Sequence, residues 1–325
     1  MRDASTTYSL MSTLWLAVSR NLICVMLATT IEMENLPGSI PKILCSLSDL
    51  EALQALAEVE NPEITIITVS FNLGRFLEDT IRSVANQTHR NFEHIVIDGG
   101  STDQTVAILK KYPHIKWISE KDSGYPEAFR KGLAMARGKY VLQCAVSDGL
   151  ANTHWLQYCA DAMNADSEVS LVWGLPQYLT EAGAAGEVSF PQFHSVLAPR
   201  KKAFFAYWLR TGFFYPEGNL CVRKSVLETC YPQIGKEKPI IDWIEFSYNF
   251  NTFGYLSYFL PVVANFGRTH VGQMGQVWKK KGLLRKNRWN YWRIRLTYRL
   301  KLFLGLKNVV FVEGAGKRLI HEQRT

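Results

Sequence analysis

The 325-residue sequence has no C-x-x-C pair among its six cysteines (Cys24, Cys45, Cys144, Cys159, Cys221 and Cys230), and no histidine stands at zinc-ligand spacing beside them. That excludes the common local zinc motifs. A chain of this length can build a full hydrophobic core and needs no disulfide scaffold, so a reducing compartment is the simpler expectation. Long apolar runs are missing too. The stretch 10–30 is broken by Arg20 and Asn21, and each piece falls short of the roughly 20 residues a membrane span requires. Asp3 stands where a signal peptide would be basic, and no small-residue cleavage site follows. No RRM, KH or helix-turn-helix signature is present, so no nucleic-acid partner is expected. Internal repeats are absent as well.

What is present is an ordinary globular composition, 47% hydrophobic and 20% charged. The formal net charge of +8 favours an anionic partner such as phosphate or lipid headgroups. Pro62 marks a boundary, and regular alternation begins after it. ITIITVS (64–70) reads as a strand buried on both faces, and residues 75–86 place Phe76, Leu77, Thr80, Ile81 and Val84 at helical spacing. Residues 94–97 form a second strand. A helix capped by Ser101 or Asp103 follows, carrying Val106, Ile108 and Leu109. Residues 115–119 are a third strand, 126–135 a helix closed by Gly138, and 140–145 a fourth strand. Further on, 169–173 reads as a strand, 182–186 as a Gly/Ala loop, 204–214 as an aromatic stretch, and helices begin at Lys224 and near residue 240.

Strands and helices alternating at short intervals predict an α/β fold with a mostly parallel sheet covered by helices. In such sheets ligands bind outside the carboxyl ends of the strands. Ser70-Phe71-Asn72, Asp98-Gly99-Gly100, Glu120-Lys121-Asp122 and Ser147-Asp148-Gly149 all fall at those ends and should meet in one crevice. The strongest of them is HIVIDGGSTDQT (94–105), an acid at the end of a buried strand followed by two glycines. Such an acid can accept a hydrogen bond from a base or ribose while the glycines admit a ligand to the backbone.

The ordered run ITIITVSFN, DGGSTDQT, SEKDSGYPEAFRKGLAMARGKYVLQ and SDG resembles the inverting family 2 glycosyltransferases of the GT-A fold, over about residues 62–160. The resemblance implies a Rossmann-like nucleotide-diphospho-sugar transferase with a mixed, mostly parallel sheet flanked by helices. It places Ser70 and Asn72 beside the nucleotide, Asp98 on the base, Asp122 near the donor, and Lys131 toward the phosphates. Asp148 falls where the family carries a D-x-D-like metal motif, so a divalent cation (Mn or Mg) is expected. Gly149 departs from the pattern by replacing a second acid. A hard cation keeps several waters and accepts diphosphate oxygens, so one carboxylate can suffice. His270, with Arg268 beside it, resembles a histidine close to the diphosphate. An inverting transfer also needs a base for the acceptor hydroxyl. Asp242 is the best positional match, Glu245 the next, and Glu217 a third.

From residue 278 to 301 every charged residue is basic, and Trp, Tyr and Leu are interleaved, with Phe303 just beyond. That pattern suits an interfacial helix on anionic lipid. The expected organisation is therefore an N-terminal extension, helical or poorly ordered (1–60), a catalytic domain (61–275, with donor half 61–160 and acceptor half 161–275), and a basic aromatic helical segment (276–325). The expected activity is transfer of a sugar from a UDP-, GDP- or dTDP-linked donor to a glycan or lipid-linked hydroxyl acceptor in surface polysaccharide or glycolipid synthesis. The expected location is the cytoplasmic, inner face of the membrane. A catalytically weak nucleotide-sugar-binding protein is the alternative, motivated by Gly149. A nucleotidyltransferase fits less well, because VSFNLGRF is too poor in glycine for its phosphate loop.

Overall fold

The computed structural model describes residues 59–188, 215–232 and 242–271, together with 273, 289, 292 and 296. The expectations for 1–58, for the aromatic stretch 204–214 and for most of the basic tail lie outside these residues. In chain order the elements are β1 (Ile64–Ser70), α1 (Gly74–Ala85), β2 (Phe92–Asp98), α2 (Thr105–Leu109), β3 (Ile115–Ser119), α3 (Tyr125–Met135), β4 (Tyr140–Gln143), β5 (Asp148–Leu150), α4 (Trp155–Ala165), β6 (Val169–Leu179), β7 (Ala185–Val188), β8 (Cys221–Arg223), α5 (Lys224–Cys230), α6 (Asp242–Thr252) and β9 (Leu256–Arg268).

The strands join one mixed sheet in the order β3-β2-β1-β4-β8-β6-β9-β5, with β7 pairing to β6. This is the expected α/β architecture. The first four strands run parallel. The other side is mixed: β8 is antiparallel to both β4 and β6, β6 runs parallel to β9, and β5 is antiparallel to β9. β1 and β2 are buried along nearly their whole length, because both faces are covered. Phe76, Leu77 and Ile81 of α1 pack with Val96 and Leu109 on one face. Phe129 and Leu133 of α3 pack with Ile67, Trp173 and Phe246 in another cluster.

Several local expectations change. Residues 144–145 leave the sheet: β4 stops at Gln143, and Asp148 opens a separate strand paired to β9. The strand from Val169 runs on to Leu179, and part of the anticipated 182–186 loop joins β7 against it. Gly138 does not close α3. The helix ends at Ala136 in an extended conformation. Gly138 is needed because a Cβ there would lie 2.6 Å from the Thr65 backbone nitrogen, and its N–H donates to Thr65 Oγ1.

Candidate active site

The register aligns three strand ends. Ser70 stands opposite Asp98, and Asp98 opposite Ser119, so β1, β2 and β3 finish level. Asp98 is fully buried. Its Oδ2 accepts from the Ser101 N–H (2.8 Å) and from the Ser119 hydroxyl (2.7 Å), and its Oδ1 accepts from the Ser101 hydroxyl. Ser101 therefore folds back on Asp98 instead of capping α2. Three of about four acceptor positions of the carboxylate are taken by the chain itself, so its first role is to shape the loop after β2.

Asn72 completes that shape. It holds φ 51°, in the left-handed region that asparagine tolerates. Its N–H donates to Ser101 Oγ (2.7 Å), and its Oδ1 accepts from the Thr102 N–H (2.9 Å). Asp103 ties in the start of α1 by accepting from the Gly74 N–H (2.8 Å), and it also accepts from the Thr105 N–H (3.0 Å). Ser70 Oγ is buried without a hydrogen-bond partner, a polar atom left over at the crevice floor.

Asp122 accepts from the Gly124 N–H (2.8 Å), and its Oδ2 lies 3.0 Å from where a Gly99 Cβ would stand. The same position is 3.3 Å from the Phe71 ring, which is 60% exposed. Residue types alone did not single out Phe71. Its signal is an aromatic placed between the polar residues Ser70 and Asn72 at a strand end. Lys131 is already paired with Glu120 (2.8 Å) and Glu127 (3.1 Å), and these carboxylates raise its pKa.

A second set of acids gathers around Asp148. Its Oδ2 is 3.2 Å from where a Gly218 Cβ would stand, and its Oδ1 is 3.6 Å from that of Gly267. Glycine at both places keeps those two positions from crowding the oxygens, which still accept from the Ser147 hydroxyl and the Arg268 N–H, and Gly218 also needs its φ of +95°. Burial pushes the Asp148 carboxyl up to about 7, and the nearby Arg268 opposes this only in part. Ser147, just before it, holds φ 84°, a strained setting for a non-glycine residue. Glu217 is exposed, yet the protein around it and then the charges of Asp242 and Asp148 push its carboxyl up to about 8. An acid that solvent reaches while protein crowds it fits the floor of a cleft. Gly218 fixes this segment over the parallel strands, because its N–H donates to Gln143 Oε1 (2.9 Å) at the end of β4.

Asp242 is buried and opens α6, and the Tyr231 hydroxyl donates to its Oδ2. Burial raises its pKa, and burial together with Asp242 raises that of Glu245 one turn on. The Tyr125 hydroxyl, which accepts from Trp243 Nε1 (3.2 Å), feels both Asp242 and Glu217. Asp148, Glu217 and Asp242 thus share one electrostatic neighbourhood, although they come from three distant chain segments. His270 is buried with its ring against Phe76 (5.1 Å), and Arg268 donates to Asp79 (2.9 Å).

The position of Gly149 has a steric cause. A Cβ there would lie 2.3 Å from the Phe266 ring and 2.6 Å from Ser83 Oγ. In a strand, neighbouring side chains point to opposite faces. A second acid at 149 would enter the core, away from Asp148. Among the described residues no group of three or more His, Cys, Asp or Glu is arranged to hold a metal. The open, glycine-flanked carboxylate of Asp148 nevertheless fits a hard cation whose remaining ligands come from water and phosphate.

The family described as Glycosyl transferase family 2 matches residues 65–230, half of the chain. An uncharacterized glycosyltransferase of Mycobacterium tuberculosis is 35% identical over 116 residues, covering 35% of this chain and 44% of that protein. A Bacillus subtilis glycosyltransferase named for teichuronic acid biosynthesis is 38% identical over 86 residues, covering 25% of this chain and 34% of that protein. These matches span less than half the length of either relative. Among solved structures, S. aureus TarS in complex with UDP-GlcNAc aligns with a TM-score of 0.49 at 17% identity, over 65% of this chain and 60% of that one.

Proposed function

The chain belongs to glycosyl transferase family 2, and from that premise we propose that it moves a sugar from a nucleotide diphosphate donor to a hydroxyl acceptor with inversion. The observation that carries this reading is that Asp148, Glu217 and Asp242, from three distant segments, feel one another's charge in a chain whose β1, β2 and β3 end level, with the loop after β2 drawn in by Asp98. In this reading Ser70, Asn72 and Asp122 border the nucleotide, and the exposed Phe71 ring offers a stacking face for its base.

Asp148 would hold a divalent cation, Mn or Mg. When bound, the cation stabilises charge building on the leaving diphosphate. Asp242 takes the acceptor proton, oriented by the Tyr231 hydroxyl, with Glu245 and Glu217 as the neighbouring acids. Carboxyls with raised pKa values suit proton uptake near neutral pH. His270 and Arg268 would bound the diphosphate end, and Lys131 would reach it only by exchanging its carboxylate partners. The acceptor is proposed as a glycan or lipid-linked hydroxyl in surface polysaccharide or glycolipid assembly, used at the cytoplasmic face of the membrane. Among the described residues no helix is long and apolar enough to cross a bilayer. Donor binding without transfer is the alternative reading, motivated by the lack of a second acid at Gly149.

The test is a panel of UDP-, GDP- and dTDP-sugars assayed for release of free nucleotide diphosphate, with and without manganese or magnesium. One donor should be turned over, and Asp148→Asn should remove the cation dependence. Nucleotide binding without turnover across the whole panel would sink the transferase reading.

A further inference from the structure

The catalytic reading leaves one surface feature unused. Trp289, Trp292 and Leu296 are helical and follow one another at spacings of three and four, which puts them on one face. All three are exposed, at 60%, 45% and 46%. The two indoles stack on each other at 5.1 Å with an interplanar angle of 21°. A water-facing stripe of two indoles and a leucine marks a contact surface, since large apolar side chains grouped in water are unfavourable.

The charge around the stripe selects the partner. Between residues 278 and 301 the sequence supplies Lys279, Lys280, Lys281, Arg285, Lys286, Arg288, Arg293, Arg295, Arg299 and Lys301, and no acid. That density of positive charge in the surrounding sequence opposes self-association of this segment and matches a negatively charged surface. Indoles prefer the headgroup level of a bilayer, where an apolar ring meets a wet N–H. Lysine and arginine stems lie along the apolar boundary while their charges reach headgroups.

We infer that the Trp289–Trp292–Leu296 face is an interfacial docking surface for an anionic lipid bilayer, lying in the membrane plane. The docking is separate from the transfer chemistry, so each can fail alone.

The experiment uses the full chain with vesicles of phosphatidylcholine alone or mixed with phosphatidylglycerol, read by co-flotation and by quenching of tryptophan fluorescence with brominated lipid. Binding should favour the anionic vesicles by about tenfold or more and weaken as salt rises. The double variant W289A/W292A should lose about tenfold in binding and lose most of the quenching, with unchanged thermal melting and unchanged release of nucleotide diphosphate from the donor. Equal binding to neutral and anionic vesicles, or unaltered binding by the double variant, would overturn the inference. A dimer that the same substitutions convert to monomer would overturn it too, by identifying a second copy as the occupant.

Discussion

Carboxylates in the parallel part of the fold and in its mixed part live under opposite conditions. On the parallel side they are surrounded by donors. Asp98 accepts from Ser101 and Ser119, and Asp103 from Gly74 and Thr105. Glu93 accepts from Thr65, Lys116 and Arg137. Burial alone would raise the Glu93 and Asp103 carboxyls, but these hydrogen bonds prevail and hold both below their usual values. On the other side Asp148, Glu217 and Glu245 are raised, by burial first. The first set has been spent on structure. The second keeps its charge costly, a condition that acids of reactive sites share.

The comparison breaks most sharply at Asp148. Asp148→Asn should reduce turnover by about 10²-fold or more, measured as nucleotide diphosphate release in manganese. Its effect on stability has the opposite sign. An acid whose folded pKa lies near 7, above the ordinary 3.8, keeps a proton that the unfolded chain has released. Its burial therefore costs stability progressively as pH rises from about 4 to about 7, and the cost persists above. The metal-free Asn variant should melt above the wild type at pH 8, with the gap closing as pH falls toward 4. A lower melting temperature at pH 8 would place Asp148 with the structural acids.

Gly149→Asp comes next. If the missing second acid were only a missing ligand, this change would strengthen manganese binding. The Phe266 ring at 2.3 Å and Ser83 at 2.6 Å predict a cost of about 3 kcal/mol or more instead, read as a lower urea midpoint, with no gain in cation affinity.

The smallest effect belongs to Glu93→Gln. Lys116 and Arg137 are 44% and 42% exposed and can rehydrate, so the loss should be about 1–3 kcal/mol in urea unfolding, with donor turnover intact. Because the folded pKa of Glu93 is depressed, its contribution is fully present above about 4.5 and fades as pH falls through the folded value. The variant and wild type should therefore converge in acid. A turnover defect in this variant would blur the division between the two parts.

The parallel part was legible because its signals are local. A β-branched run long enough for one strand, ITIITVS, became β1 with the expected bounds, and IKWIS became β3. Asp98 at a strand end before two glycines announced a crevice. The role of Ser101 was misread because a serine near a helix start is usually a cap, and only the level ends of β1, β2 and β3 bring it back onto Asp98. Gly138 was misread for the same reason. A glycine after a helix suggests a cap, while its cause is the backbone of Thr65 from a strand 73 residues earlier.

By itself, then, the sequence determined the α/β alternation, the strand ends that finish level, and a set of candidate acids. Periodicity and turn chemistry act over a few residues and can be read from residue types. The tertiary structure alone decided which acids are consumed and which stay available. It set Gly218 against Asp148, joined Glu217 electrostatically to Asp242, and sealed Gly149 behind Phe266. Those outcomes depend on β5, β8, β9 and α6 being assembled from distant parts of the chain, with β8 joining the mixed part of the sheet to β4. Burial and the approach of like charges, which set proton affinities, exist only after that closure.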